Sequence, residues 1–163
     1  MKRVALAACV LACGALFAQK DKYAGPKPPK PDMLYLLHAS NLIPTEAGEA
    51  KEETRKDVTA NVMKGAESNV KTPMAEPIFL IESDKVSAEK LELYKMDIKN
   101  GQREVSIPND SKKRIKNAPK QLRVKVDRIE QSLYRVEVNQ WLDNGEYCMS
   151  PQGSVQVFCF QVF

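Results

Sequence analysis

The sequence predicts an all-β fold: an antiparallel β-sandwich, immunoglobulin-like or similar, of roughly ten short strands. Three observations predict it. Apolar and polar residues alternate over short runs, as in "LRVKVDRI" at 122 to 129 and "VQVFCFQVF" at 155 to 163. Turn residues separate such runs at close spacing. Asn100-Gly101 stands between two of them, and this pair suits a type I′ hairpin turn, whose two central residues both need positive φ.

The chain opens with an address. Lys2 and Arg3 precede a run of apolar and small residues from Val4 to Phe17, and Ala18 before Gln19 offers a cleavage point. Residues 1 to 18 therefore read as a secretory signal peptide, too short for a comfortable membrane-spanning helix. "LAAC" at 6 to 9 looks like a lipobox, but attachment at Cys9 would leave too little apolar segment for export. The expected mature protein is periplasmic or extracellular. Of four cysteines, Cys9 and Cys13 leave with the signal, which puts Cys148 and Cys159 in an oxidising compartment.

The mature chain has 145 residues (163 less 18), enough for one hydrophobic core. Its formal charge falls from +4 to +2 with the loss of Lys2 and Arg3, a balance too small to point to any partner. After the signal, no stretch is long and apolar enough to cross a bilayer as a helix.

Residues 19 to 32, "QKDKYAGPKPPKPD", form a Pro/Lys-rich leader or linker. Proline fixes φ and lacks an N–H, so this segment should be extended. A single sandwich domain is expected over residues 33 to 163. "MLYLLH" at 33 to 38 and "NLIPTE" after a turn near Ser40 suggest a first hairpin. Residues 45 to 73 are the least defined. "EAKEETRK" has helix-forming composition but no apolar stripe, so helix, loop and irregular strand stay open, whereas "DVTANVM" alternates as a short strand. "PIFLIE" at 77 to 82 is a buried-strand run, and "SDKVSAEKLE" after it could hold one helical turn.

Around Asn100-Gly101 a two-residue loop sets the register. Met96 falls opposite Val105, and Tyr94 opposite Ile107, on one face; a slip by one residue would swap faces. Next, Leu122, Val124 and Val126 share a side, and Tyr134, Val136 and Val138 in "YRVEV" point inward. The outward Arg123, Lys125, Arg135 and Glu137 are too charged to face lipid, which argues against a membrane barrel.

Chemistry is sparse in the sequence. His38 is the one histidine, and it should end the first strand at a turn. The chain lacks G-x-S-x-G, a Walker loop, H-E-x-x-H and C-x-x-C. No catalytic, cofactor or metal residue is assigned, no cofactor is expected, and the protein reads as a non-enzyme. One charge feature stands out. From Lys99 to Arg128 ten basic residues face three acidic ones, and "SKKRIKNAPK" at 111 to 120 concentrates them. Lys112, Lys113, Arg114, Lys116 and Lys120 offer a polyanion contact, for an anionic polysaccharide or a lipid headgroup. No aromatic residue interleaves with them, so base stacking is not suggested and nucleic acid is not an expected partner.

The closing segment "LDNGEYCMSPQGSVQVFCFQVF" resembles that of uncharacterised secreted bacterial β-rich proteins, which end in a GEYxxS…FCFxV-like pattern. "PKPDMLYLLHASNLIPTEAGEAKEE" and "AEPIFLIESDKVSAEKLELYKMDIKNGQREV" are similar to segments of the same group. The resemblance implies a small exported β-rich domain. It brings no activity, ligand or catalytic residue.

In the same segment, a two-residue type II′ loop at Gly153-Ser154 would place Cys148 opposite Cys159. The pair would be hydrogen-bonded, with Cα atoms roughly 5.5 Å apart, a span that a disulfide tolerates. Tyr147, Met149, Phe158, Phe160 and Val162 would then share the core face, and the cysteines the more polar face with Glu146, Ser150 and Gln161. The functional expectation is an exported, non-catalytic domain acting by surface interaction in the cell envelope or outside it, with an envelope protein or an anionic surface as partner.

Overall fold

The computed structural model describes residues 23–110 and 118–163. The segment read as a signal peptide and most of the basic loop lie outside them. Along the described residues run β1 (Leu34–His38), β2 (Asn41–Pro44), β3 (Glu46–Glu49), β4 (Lys51–Arg55), β5 (Val58–Met63), β6 (Lys71–Thr72) and β7 (Ile78–Glu82). A single 3₁₀ turn at Ala88–Lys90 precedes β8 (Leu91–Lys99), β9 (Gln102–Pro108), β10 (Val124–Arg128), β11 (Leu133–Val138), β12 (Gly145–Pro151) and β13 (Gln156–Val162). The fold is all-β and sandwich-like. Three strands, β3, β4 and β6, go beyond the roughly ten expected, and all lie in the region whose state the sequence left open.

Two sheets form. One has five strands in the order β10-β11-β7-β1-β2; the other has eight, running β3-β13-β12-β8-β9-β5-β4, with β6 added in parallel to β13. Their facing surfaces make the main core. Leu34, Leu36, Phe79, Ile81 and Val136 of the first sheet meet Leu93, Tyr147, Met149, Phe158 and Phe160 of the second, all nearly or fully buried. Phe79 packs on Phe160 across the interface with ring centroids 5.0 Å apart. Burying each such side chain contributes roughly 1.5–3 kcal/mol.

The larger sheet curls into a half-barrel. β3 and β4 lie at its opposite edges, yet only Ala50 separates them in the chain. The sheet must bend until its two edges nearly meet at that residue. Ala50 is buried there and donates its N–H to the Val155 carbonyl at 2.8 Å. β4 carries Lys51, Glu53 and Arg55 in ion pairs at 2.9–3.0 Å. Charged side chains are a usual guard for an edge strand, and with no apolar stripe a helix had nothing to bury here.

The expected hairpins form. Asn100 and Gly101 have φ of 52° and 73°, as a type I′ turn requires. The turn pairs Lys99 with Gln102 and Asp97 with Glu104, which keeps Met96 and Val105 on one face. Val124 pairs with Val138 and Val126 with Val136, and all four turn to the main core. His38 is exposed at the end of β1, beside the turn at Ala39 and Ser40. From the leader segment, Pro28 is buried, Lys27 pairs with Glu130, and the Asp32 N–H donates to the Glu82 carbonyl at 2.9 Å.

The last hairpin keeps its register but not its expected turn. Ser154 donates its N–H to the Pro151 carbonyl at 3.0 Å, so the turn centres on Gln152 and Gly153, with Gly153 at φ 74°. The loop spans residues 152 to 155, two residues longer than a Gly153-Ser154 loop, and it leaves the same residues opposite each other.

Candidate functional site

The face that carries the cysteines is not polar as expected. It is the concave face of the half-barrel, and it holds a second apolar cluster. Ala50, Met63, Met96, Val105, Cys148, Val157 and Cys159 are buried in it, with Tyr94 and Ile107 packed against them. The curl supplies the reason: a face that would meet water in a flat sheet is shielded when the edges come round. Cys148 and Cys159 stand directly opposite, at disulfide-bonding distance, with Cα atoms 4.1 Å apart. That is the close spacing of a non-hydrogen-bonded pair rather than the wider one expected.

This face divides into two parts. Side-chain contacts gather Arg103, Glu46 and Glu146 at one end, and the cavity lining gathers Ile107, Thr59, Ser150 and Glu92 at the other. The first end is closed by charge. Arg103 is wholly buried, and its guanidinium donates to both oxygens of Glu46 at 2.7 and 2.8 Å. It donates further to the carbonyls of Gly65 and Lys64 at 3.1 and 2.9 Å. Three strands lie between β3 and β9 in the sheet, so the Arg103–Glu46 pair reaches across the hollow rather than along it. Glu146 lies 3.6 Å from Arg103 and accepts the Ser68 N–H at 2.9 Å on the same oxygen; its other oxygen is buried without a partner.

These environments push the two carboxylates apart. Burial raises Glu146 above the ordinary range, against the opposing pull of the Ser68 N–H and of Arg103. Burial also works to raise Glu46, but the hydrogen bonds from Arg103 and Ser68, with the Arg103 charge, together hold it below that range.

Toward the other end the hollow opens into a cavity of about 400 Å³. Met96, Val105, Cys148 and Val157 form an apolar floor, and Tyr94, Asn61, Thr59, Glu52, Glu92 and Asn109 bring polar atoms to its walls and rim. Several of these are tied to one another. The Tyr94 hydroxyl donates to Glu92 at 3.3 Å, that of Thr59 to Asn109 at 2.7 Å, and that of Ser150 to the Ser154 carbonyl at 3.0 Å. Burial, and then the Glu92 charge, raise Tyr94 to about 12, so its hydroxyl stays a neutral donor.

The residues singled out in the sequence fare unequally. Cys148 and Cys159 come together, and Cys148 lines the cavity. Lys112, Lys113, Arg114 and Lys116 lie outside the described residues, and Lys120 is exposed. The loop expected to contact a polyanion thus lies largely outside the described residues. Arg103 and the cavity were missed. A signal for Arg103 exists: the alternation that puts Val105 and Ile107 on one face, continued two residues back, puts Arg103 on it as well. Among the described residues, no group of three metal-ligating side chains gathers, and no helix is long and apolar enough to cross a membrane. Compared with family models, curated proteins and solved structures, the chain matches none.

Proposed function

We propose that this chain is an exported, non-catalytic binding domain that holds a small ligand in the hollow of its curled sheet. The observation that carries the reading is the cavity itself. At about 400 Å³, with an apolar floor and a few polar groups at its walls, it has the size and make-up of a small-molecule site. Binding fits it better than turnover, because its hydroxyls are committed to neighbouring acceptors rather than paired with a base. Export is supported by the N-terminal charged and apolar segment and by a cysteine pair placed to bond. The cell envelope or the medium is then where the ligand is met.

The test uses a neutral, environment-sensitive dye. Nile red should brighten on the mature protein and lose that response in Ile107→Trp, whose bulky indole would fill the cavity from a half-buried lining position. Equal brightening in the folded variant and the parent would overturn the reading.

A further inference from the structure

The cavity lining is charged in one sense only. Glu52 and Glu92 bring carboxylates to it, and no Lys, Arg or His is among its described lining residues. This runs against the composition of the chain, which has 25 Lys and Arg against 21 Asp and Glu. The floor beneath is apolar, formed by Met96, Val105, Cys148 and Val157. Between floor and rim stands Tyr94, half-buried, whose ring offers a π face and whose hydroxyl fixes the Glu92 carboxylate by donating to it at 3.3 Å.

We infer, resting on the binding function just proposed, that the ligand is a small cationic amphiphile: an alkylammonium-like molecule with its chain on the apolar floor and its head group beside Tyr94, Glu92 and Glu52. Two features support the head group and a third supports the tail. A carboxylate held at a cavity rim gives an ammonium a charge-assisted hydrogen bond. An aromatic face near it attracts the same cation. An apolar floor with no charged group suits a hydrocarbon tail and nothing more polar. An anionic head group would have two carboxylates to repel it and no cation in the described lining to pair with. The cavity volume sets the scale to a short chain rather than a full membrane lipid.

The experiment is a calorimetric titration of the mature protein with octylamine, octanol and octanoate, each below its aggregation threshold. These share a tail and differ in head-group charge. Octylamine should bind about tenfold more tightly than octanol, with octanoate weakest, and the preference should shrink as salt is added. In the double variant Glu52→Gln, Glu92→Gln, octylamine should bind no better than octanol. Equal affinities for amine and alcohol, or a preference for octanoate, would overturn the charge assignment while Nile red binding lost in Ile107→Trp still supported the cavity as a site. If neither the dye nor any of the three molecules bound, the binding function itself would fall.

Discussion

Arg103 and Glu46 meet across the half-barrel. Arg103 stands on β9 and Glu46 near the start of β3, and two parallel hydrogen bonds of 2.7 and 2.8 Å join them over three intervening strands. A flat sheet would keep these residues far apart. The pair therefore records the curl, and it closes one end of the hollow while the other end stays open.

Removing the guanidinium should cost the domain heavily. Arg103→Ala would strip Glu46 of its guanidinium partner, leaving it the Ser68 hydrogen bond alone, and take this donor from the Gly65 and Lys64 carbonyls. Breaking a buried ion pair from one side costs about 3–5 kcal/mol. Arg103→Lys should recover only part of it, because an ammonium cannot match the fork geometry. Urea denaturation midpoints of the three proteins would check this; an unchanged midpoint in Arg103→Ala would contradict the buried pair.

Glu146 and Glu46 should mark stability against pH in opposite directions. Glu146 is raised in the folded state, so it holds its proton more tightly there than when unfolded. Its contribution is complete below the ordinary carboxylate value and declines as pH rises through its raised value. Glu46 is lowered, so its contribution is present above the ordinary value and is lost as pH falls through its lowered one. Glu146→Gln keeps an acceptor for Ser68 and removes the titration. Thermal melts from acid to neutral pH should show the parent losing stability relative to this variant as pH rises, and a constant difference would refute the assignment.

The Asn100-Gly101 turn gives a backbone test free of packing. A side chain added at Gly101 would meet nothing within 4 Å, so any cost comes from its φ of 73°. Gly101→Val should destabilise by about 1–2 kcal/mol, because a β-branched residue resists that conformation. Chemical denaturation would read the shift.

The cysteine pair predicts the absence of free thiols. Titration of mature protein, exported under oxidising conditions and then denatured without reductant, should find none. The pair closes a short loop, with a sequence separation of 11, and a joint Cys148→Ser, Cys159→Ser variant should lose about 3 kcal/mol. Two titratable thiols would mean that the residues serve only as apolar packing.

The proposed export makes its own prediction. The mature chain should begin at or near Gln19 and carry no lipid. N-terminal sequencing and intact mass decide it, and a diacylglycerol mass on Cys9 or Cys13 would be the contrary result.

The main core was legible because its signals are local. The apolar run "LYLLH" marks a buried strand, alternation in "RVEV" and "VQVFCF" marks which side of each strand is apolar, and Asn100-Gly101 pins one register outright. The concave face was not legible, since its burial depends on two edges meeting at Ala50, a relation between β3 and β4 that no period reveals. Glu146, Cys148 and Ser150 alternate like an outward row and become an inward one only because the sheet bends. Arg103 shows the same limit from the other side: its phase put it among apolar neighbours, but its partner Glu46 sits in a stretch with no pattern at all.

The placement of β13 shapes how the chain can fold. This one strand pairs with β12 and, along its far edge, with β3 and β6. Its partnership with β12 is a near-neighbour contact that closes a short loop at small entropic expense; those with β3 and β6 join distant parts of the chain and are slow for that reason. A bond between Cys148 and Cys159 can therefore form early, before the sheets exist, and would fix the register of the one hairpin on which two remote strands must later dock. On the proposed route of export, oxidation would then act as a timing device, setting the template first and leaving the curl, with its hollow, to assemble last.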